Sequence, residues 1–369
     1  MKIQCQKSQL VEAVSNVQRA VSSKSTLAAL EGILLKTTTN GDLKLCGYDL
    51  ELGITTVIEA QVDEPGEVVL SARLFGDIVR RLPDETVTIL VDEKMITQIT
   101  CGPSEFSIVG IPSSEYPELP SVEGASSIDL TSPILKSMIR QTLFAVSTSD
   151  SKPIHTGAKF DIKNRTLRVV AVDGCRLAMR SEAINCDEVT DFVVPGRTLG
   201  EALKLMEGDD GDVQIGVGRR HIVMNVGNYA VISRLLEGDF LDFDKSIPRG
   251  ARFDIPVPPR RFIEAVERMS LVVSERLKSP IHCKITGGEI RFSCETAIGT
   301  AADRFAIEPV DDEIEIGFNY RSLLDAFRAA ETDEVRVQII QNNAPVKILP
   351  KEGDSFLFLV LPVMLKAKS

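Results

Sequence analysis

Three kinds of residue in this 369-residue chain could do chemistry: paired acids, a cysteine beside an arginine, and basic residues recurring at a fixed interval. Asp49 with Glu51, Asp209 with Asp210, and Asp311 with Asp312 bring carboxylates together as acid–base catalysis requires. No histidine, lysine or glycine loop accompanies them at catalytic spacing, so turns and solvated loops account for them. Cys175 lies in Asp173-Gly174-Cys175-Arg176, where the arginine charge would favour a thiolate. Asp173, Cys175 and Arg176 are thus the one candidate for a hydrolytic or transfer site, and the lack of a base in the motif counts against it. Gly216-Val217-Gly218 runs into Arg219 and Arg220 within strand patterning, so it does not open a helix as a phosphate cradle does. His155, His221 and His282 have no acid or cysteine at ligand spacing, and neither a metal nor a cofactor is expected.

The basic residues carry more. Arg73 opens RLFGDIVRRL, Arg197 opens RTLGEALKLM and Arg321 opens RSLLDAFRAA, each 124 residues after the last. In every copy a second basic residue follows seven positions on, giving the pairs Arg73/Arg80, Arg197/Lys204 and Arg321/Arg328. Seven residues are nearly two helical turns, so each pair shares one face, while Phe75, Val79, Leu199, Leu203, Leu323 and Phe327 mark an apolar face opposite. An acid at the fourth position after each opening arginine (Asp77, Glu201, Asp325) is also what an ordinary solvated helix shows. Three copies in register favour a shared basic surface.

A period near 124 divides the chain into three domains, at 1–121, 128–249 and 251–369, each with two strand–helix–strands units. The composition, 43% hydrophobic against 26% charged, gives each third enough apolar material for its own core. Ser8 stands as a plausible N-cap for a helix from 9 to 21, and Asn40-Gly41-Asp42 is hairpin-turn chemistry. In the second third Lys136 and Arg140 lie at i, i+4 on the polar side of a helix behind Pro133. The seven cysteines (5, 46, 101, 175, 186, 283 and 294) never form C-x-x-C and read as small buried or half-buried thiols of a reducing compartment. Neither a signal peptide nor an apolar run of about 18 residues is present, so a cytoplasmic protein without membrane contact is expected. The net charge of −11 argues against a body coated in basic charge but leaves room for a local basic face.

Sheets carrying helices on one face only make an α+β fold. If six such helices stood around a hole about 10 Å apart, the opening would be roughly 9 Å, too narrow for a duplex of roughly 20 Å. Twelve leave an opening of roughly 28 Å by the same spacing, so a ring would need two chains joined head to tail.

His155 to Ala178 (HTGAKFDIKNRTLRVVAVDGCRLA), Ile33 to Leu35, Glu237-Gly-Asp-Phe, Ile316-Gly-Phe-Asn and the ending LVLPVML, in their order along three like domains, resemble the bacterial DNA polymerase III beta subunit, the sliding clamp. The resemblance spans essentially the whole chain. It implies three domains of the DNA-clamp type forming half of a closed ring, with helices inside and sheets outside. It implies a head-to-tail homodimer around duplex DNA that tethers the replicative polymerase, is loaded by an ATP-driven clamp loader, and catalyses nothing. Phosphate contacts would come from Lys24, Arg73, Arg80, Lys136, Arg140, Arg197, Lys204, Arg321 and Arg328, without base readout. The family's docking cleft, which takes short apolar peptides from polymerases, the loader and repair proteins, would use Val172, Gly174, Cys175, Arg176 and Leu177 with His155, Leu241, Lys245 and Ser246. Asn319, Ser322, Val360, Leu361, Pro362, Val363 and Met364 would complete it. The chain has Cys175, Val172 and Leu241 where the family commonly has His, Thr and Pro, which implies a more apolar cleft. Phe106 would face Val272 and Val273 of the other copy at the subunit seam.

Overall fold

The computed structural model describes residues 1–122, 126–208, 210–273 and 279–365. Asp209 and the tail from 366 to 369 lie outside them. The seven α-helices of the described residues are α1 (Lys7–Val17), α2 (Ala72–Arg81), α3 (Ser132–Leu143), α4 (Gly196–Leu205), the short α5 (Phe243–Ser246), α6 (Pro259–Ser270) and α7 (Tyr320–Ala329). Six begin directly behind or within two residues of a strand, as the repeated strand–helix–strands reading requires.

Two compact units result, one built from Met1–Leu135 with Arg197–Leu235 and the other from Lys136–Gly196 with the chain from Leu236 onward. They cut across the sequence thirds because the large sheets do. In the first unit an eight-stranded antiparallel sheet joins Tyr229–Arg234 of the second third to Leu52–Ile58 of the first, with Val231 opposite Ile54. In the second unit another eight-stranded sheet joins Phe356–Val360 of the last third to Arg176–Ala183 of the second, with Phe358 opposite Ala178. Ile54 and Ala178 are 124 residues apart and their partners Val231 and Phe358 are 127 apart, the extra residues falling in the turn before Phe356–Val360, so both junctions have the same ladder register. The first unit also holds a five-stranded sheet whose free edge is Ser104–Val109, and the second a hairpin of Ile281–Thr296 with Gly299–Phe318.

Alternation puts one face of each strand in the core, where Phe75, Phe160, Phe292 and Phe358 are fully buried. In the second unit Phe262 of α6 stacks on Phe327 of α7 at 3.8 Å between ring centroids, locking the two helices together.

Three expectations are corrected. Ser8 is not a cap: α1 starts at Lys7 straight off the first strand, and the Lys7 N–H donates to Glu85 O at 3.4 Å. The helix also stops at Val17 and tightens into a 3₁₀ turn, Gln18–Ala20. After α6 the third set of separate strands is fused into the long hairpin. Its pairing shifts at Ile285/Gly287 and Gly287/Glu289, with Gly287 at φ +54°. The edge strand Gln61–Glu64 escaped notice because its exposed, acidic sequence lacks apolar alternation.

Gly47 shows why α1 lies so close to its sheet: a Cβ there would stand 2.1 Å from Val17 O and 2.9 Å from Val17 C, both backbone atoms that cannot rotate away. Gly47→Ala is therefore expected to lower stability by about 2 kcal/mol, read as an earlier urea transition with unchanged slope.

Candidate nucleic-acid interface and docking face

In the first unit the end of α1 draws the basic residues together. Arg80 of α2 donates to Gln18 Oε1 at 3.3 Å and to Asp77 at 3.0 Å. Arg197, opening α4, pairs with Asp49 and donates to Arg19 O at 3.3 Å, and Lys204 pairs with Glu201 at 2.8 Å. Glu201 also lies 4.0 Å from Arg19 Nε, so Arg80, Arg19, Arg197 and Lys204 are linked through Gln18, Arg19 and Glu201, and Lys24 and Arg73 are also exposed. In the second unit Arg328 of α7 pairs with Glu267 of α6 at 2.6 Å. Gln141, next to the exposed Arg140, donates to Ala330 O at 3.2 Å, bringing the ends of α3 and α7 together. Arg321 is exposed and its Nε donates to the Tyr320 hydroxyl, whereas Lys136 is half-buried.

The second basic residue of each repeated helix therefore holds an acid: Arg80 with Asp77, Lys204 with Glu201, Arg328 with Glu267. Hydrogen bonds from Arg80 and Arg81 hold the Asp77 carboxyl below the usual carboxylate range, so that acid stays charged and screens its cations. Such a surface attracts phosphates weakly.

The residues expected to form the docking cleft all fall in the second unit. Leu177 sits in the ladder between Val172 and Leu359, and with Val170 and Phe243 they form a buried apolar cluster flanked by Met179, Phe240, Ile247 and Leu357. Leu241, Leu361, Val363 and Met364 stand exposed around it, Met364 at 83%. The last segment is held by two backbone bonds, Leu361 N to Cys175 O at 2.9 Å and Val363 N to Gly317 O at 2.8 Å. His155 packs edge-on against Phe240 at 5.4 Å and lines an open cavity of about 420 Å³ with Lys152, Glu237 and Leu241. Lys245 pairs with Asp242 at 2.6 Å, and Ser246 donates to Asp242 O at 3.4 Å. Asn319 caps α7, accepting the Arg321 N–H at 2.9 Å.

The structure narrows the expected set. Val172 and Leu177 are floor residues at 5% and 3% exposure, and Ser322 is buried in α7. Val360 and Arg176 point to the other face of the sheet: they are ladder partners one residue from Leu359 and Leu177, and strand side chains alternate. Arg176 goes instead to Asp173 at 2.9 Å, to Asp325 of α7, and over the Phe144 ring. Leu359, absent from the expected set, takes the place given to Val360. The catalytic reading also fails. Asp173 Oδ1 accepts the N–H groups of Cys175 and Arg176 at 2.9 and 3.1 Å, so it shapes a turn. Cys175 is exposed, contrary to its expected burial, while burial pushes the Cys5 and Cys283 thiols up to about 12.

In the first unit the position equivalent to Leu177 is Gly53, between Tyr48 and Ile232. Leu119 and Tyr48 lean over it: a Cβ would lie 3.0 Å from Leu119 Cδ2 and 3.2 Å from Tyr48 Cδ2.

Phe106 and Val109 are 39% and 73% exposed on the free edge Ser104–Val109. Val272 and Val273 are half-buried, beside Leu271 at 80% and Ile298 at 68% exposure, and the Thr296 hydroxyl donates to Val272 O at 2.7 Å. None of the expected seam residues belongs to the core.

Models of the N-terminal, central and C-terminal domains of the DNA polymerase III beta subunit match residues 1–120, 129–242 and 245–364 in that order. The chain belongs to the DNA polymerase III beta subunit family. It is 32% identical over 376 residues to the beta sliding clamp of Bacillus subtilis, covering 98% of this chain and 99% of that one. The Staphylococcus epidermidis beta sliding clamp is 33% identical over 375 residues with the same coverage. The crystal structure of the Bacillus subtilis clamp superposes with a TM-score of 0.96 at 31% identity, covering 99% and 100% of the two chains. A Bartonella birtlesii sliding clamp bound to griselimycin gives 0.93 at 29% identity with the same coverage. The fold is thus three DNA-clamp domains, and the chain is a DNA sliding clamp, a processivity subunit and not a catalytic one. No helix among the described residues is long and apolar enough to cross a membrane.

Burial and the nearby Lys152 charge push the His155 imidazole below its ordinary value of 6.5. Between that lowered value and 6.5 the unfolded chain binds more protons than the folded one, so this group's contribution to stability is lost as pH falls through the window. A proton NMR titration should place the His155 midpoint below 6.5, and His155→Gln should flatten the acid side of the stability profile.

Proposed function

We propose that two copies close head to tail into a ring around duplex DNA and tether polymerases, the clamp loader and repair proteins in the cytoplasm, with domain boundaries at 1–121, 128–249 and 251–369. The observation that carries this reading is a pair of unsatisfied edges. The last strand of the second third pairs with Leu52–Ile58, and the last strand of the final third pairs with Arg176–Ala183, in one register. Among the described residues, the first third's last strand, Ser104–Val109, has no such neighbour, and the strand from Gly299, which pairs with 281–296, lacks the corresponding partner on its other side. These two edges complement each other but belong to opposite ends of the repeat, so a second chain satisfies both. Carrying the register over sets Phe106 opposite Ala301 of the other copy, with Val272, Val273, Leu271 and Ile298 covering the apolar side. Unpaired edges of this kind are costly to leave open.

Within the ring, Lys24, Arg73, Arg80, Lys136, Arg140, Arg197, Lys204, Arg321 and Arg328 meet phosphates without reading bases. The screened helix charges support retention by enclosure over retention by affinity. At the cleft, partners insert short apolar peptides over Leu177, Leu359 and Phe243, between His155, Leu241, Lys245 and Ser246 on one side and Gly174, Cys175, Asn319 and Leu361 to Met364 on the other.

After loading with clamp loader and ATP, the protein should stay on nicked circular plasmid and leave within minutes once the plasmid is cut. Equal loss from circles and linear molecules would sink the ring. Leu359→Ala should weaken an apolar docking peptide about tenfold, as removal of an anchor contact does. Val360→Ala should leave that affinity alone and lower stability by roughly 1.5–3 kcal/mol.

A further inference from the structure

We infer that the seam between the two copies lacks the arginine–aspartate pair that ties each junction inside the chain, because Thr296 stands where the other two junctions carry an acid. The inference rests on the head-to-tail reading above.

Three hairpin turns occupy equivalent places, at 49–52, 173–176 and 296–299. The Asp49 N–H donates to Leu52 O at 3.1 Å, and its Oδ1 accepts the N–H groups of Glu51 and Leu52 at 3.0 and 2.8 Å. Asp173 repeats the pattern with Arg176 O at 3.3 Å and with the Cys175 and Arg176 N–H groups. In the third turn Thr296 faces Gly299 in the ladder, and its Oγ1 accepts the Ile298 N–H at 3.3 Å.

Each aspartate uses Oδ1 on its own turn and so leaves Oδ2 for a cation. Asp49 Oδ2 receives Arg197, the residue that opens α4 in the next third. Asp173 Oδ2 receives Arg176 Nε at 2.9 Å, and the same guanidinium continues to Asp325 on α7 of the next third. Turn and following helix are therefore tied by an arginine and an aspartate at both internal junctions. At the seam the helix is α2 of the other copy, opened by Arg73 as α4 is opened by Arg197. Arg73 is exposed, and among the described residues its side chain has no ion pair. It would meet a neutral threonine whose hydroxyl is already donated to Val272 O. Gly299 likewise replaces Arg176, so the second pairing is missing too.

The threonine is the residue to change. Thr296→Asp, Thr296→Asn and Thr296→Lys all remove the threonine hydroxyl and differ in charge. The dimer dissociation constant of the full chain, by analytical ultracentrifugation at low salt, should be about tenfold lower for Asp than for Asn and about tenfold higher for Lys. Net charge cannot produce that order: at −11 per chain an added acid increases repulsion between copies and an added lysine reduces it. Arg73→Glu combined with Thr296→Lys should recover the loss, and it carries the test should the Asp variant fold poorly. Three equal constants, or no recovery in the swapped pair, would overturn the inference. A wild-type chain that stays monomeric at tens of micromolar would remove the head-to-tail reading and this inference with it.

Discussion

A β-strand at a sheet margin exposes backbone groups that need a partner, and the organisation of this chain follows from where those partners are found. Each third ends on a strand too many for its own sheet. The second and last thirds lend theirs to the third before, through Leu52–Ile58 and Arg176–Ala183. Compactness then follows the sheets across the sequence repeats, which is why the two units differ from the three thirds matched by the family models. Helices alone could not impose this, because side-chain packing tolerates sliding and a ladder of paired amides fixes one register.

Charge is distributed with comparable economy. Arg80 of α2, Lys204 of α4 and Arg328 of α7 each stand beside an acid, so the second cation of each repeated helix is partly screened. On a chain of net charge −11, this leaves only a weak local positive field along these helices. The docking face has the opposite character. There Leu177, Leu359 and Phe243 offer apolar area, and the charged groups nearby are tied to each other, as Lys245 is to Asp242.

What the sequence made legible was periodic. The 124-residue interval located α2, α4 and α7 within a residue or so, because a basic pair seven apart on an amphipathic helix survives each copy. The cleft residues that the resemblance implies, which the interval alone did not point to, lie in one unit. What stayed hidden depended on single-residue phase and tertiary closure. Val360 and Leu359 are both apolar, and only the ladder decides which faces the cleft. Ser8 looked like a cap because nothing in the sequence shows that Glu85 O is there to receive the Lys7 N–H. Leu271 and Ile298 resemble any apolar residue near a turn until their exposure is known.

Gly53 and Leu177 hold one position in two copies of the same ladder, and that difference decides which junction keeps an open apolar floor. With a glycine roofed by Leu119 and Tyr48, the first junction has no socket to offer, while a leucine keeps the second open. Among the described residues, the apolar floor that Leu177, Leu359 and Phe243 build in the second unit therefore has no twin at the matching ladder position of the first.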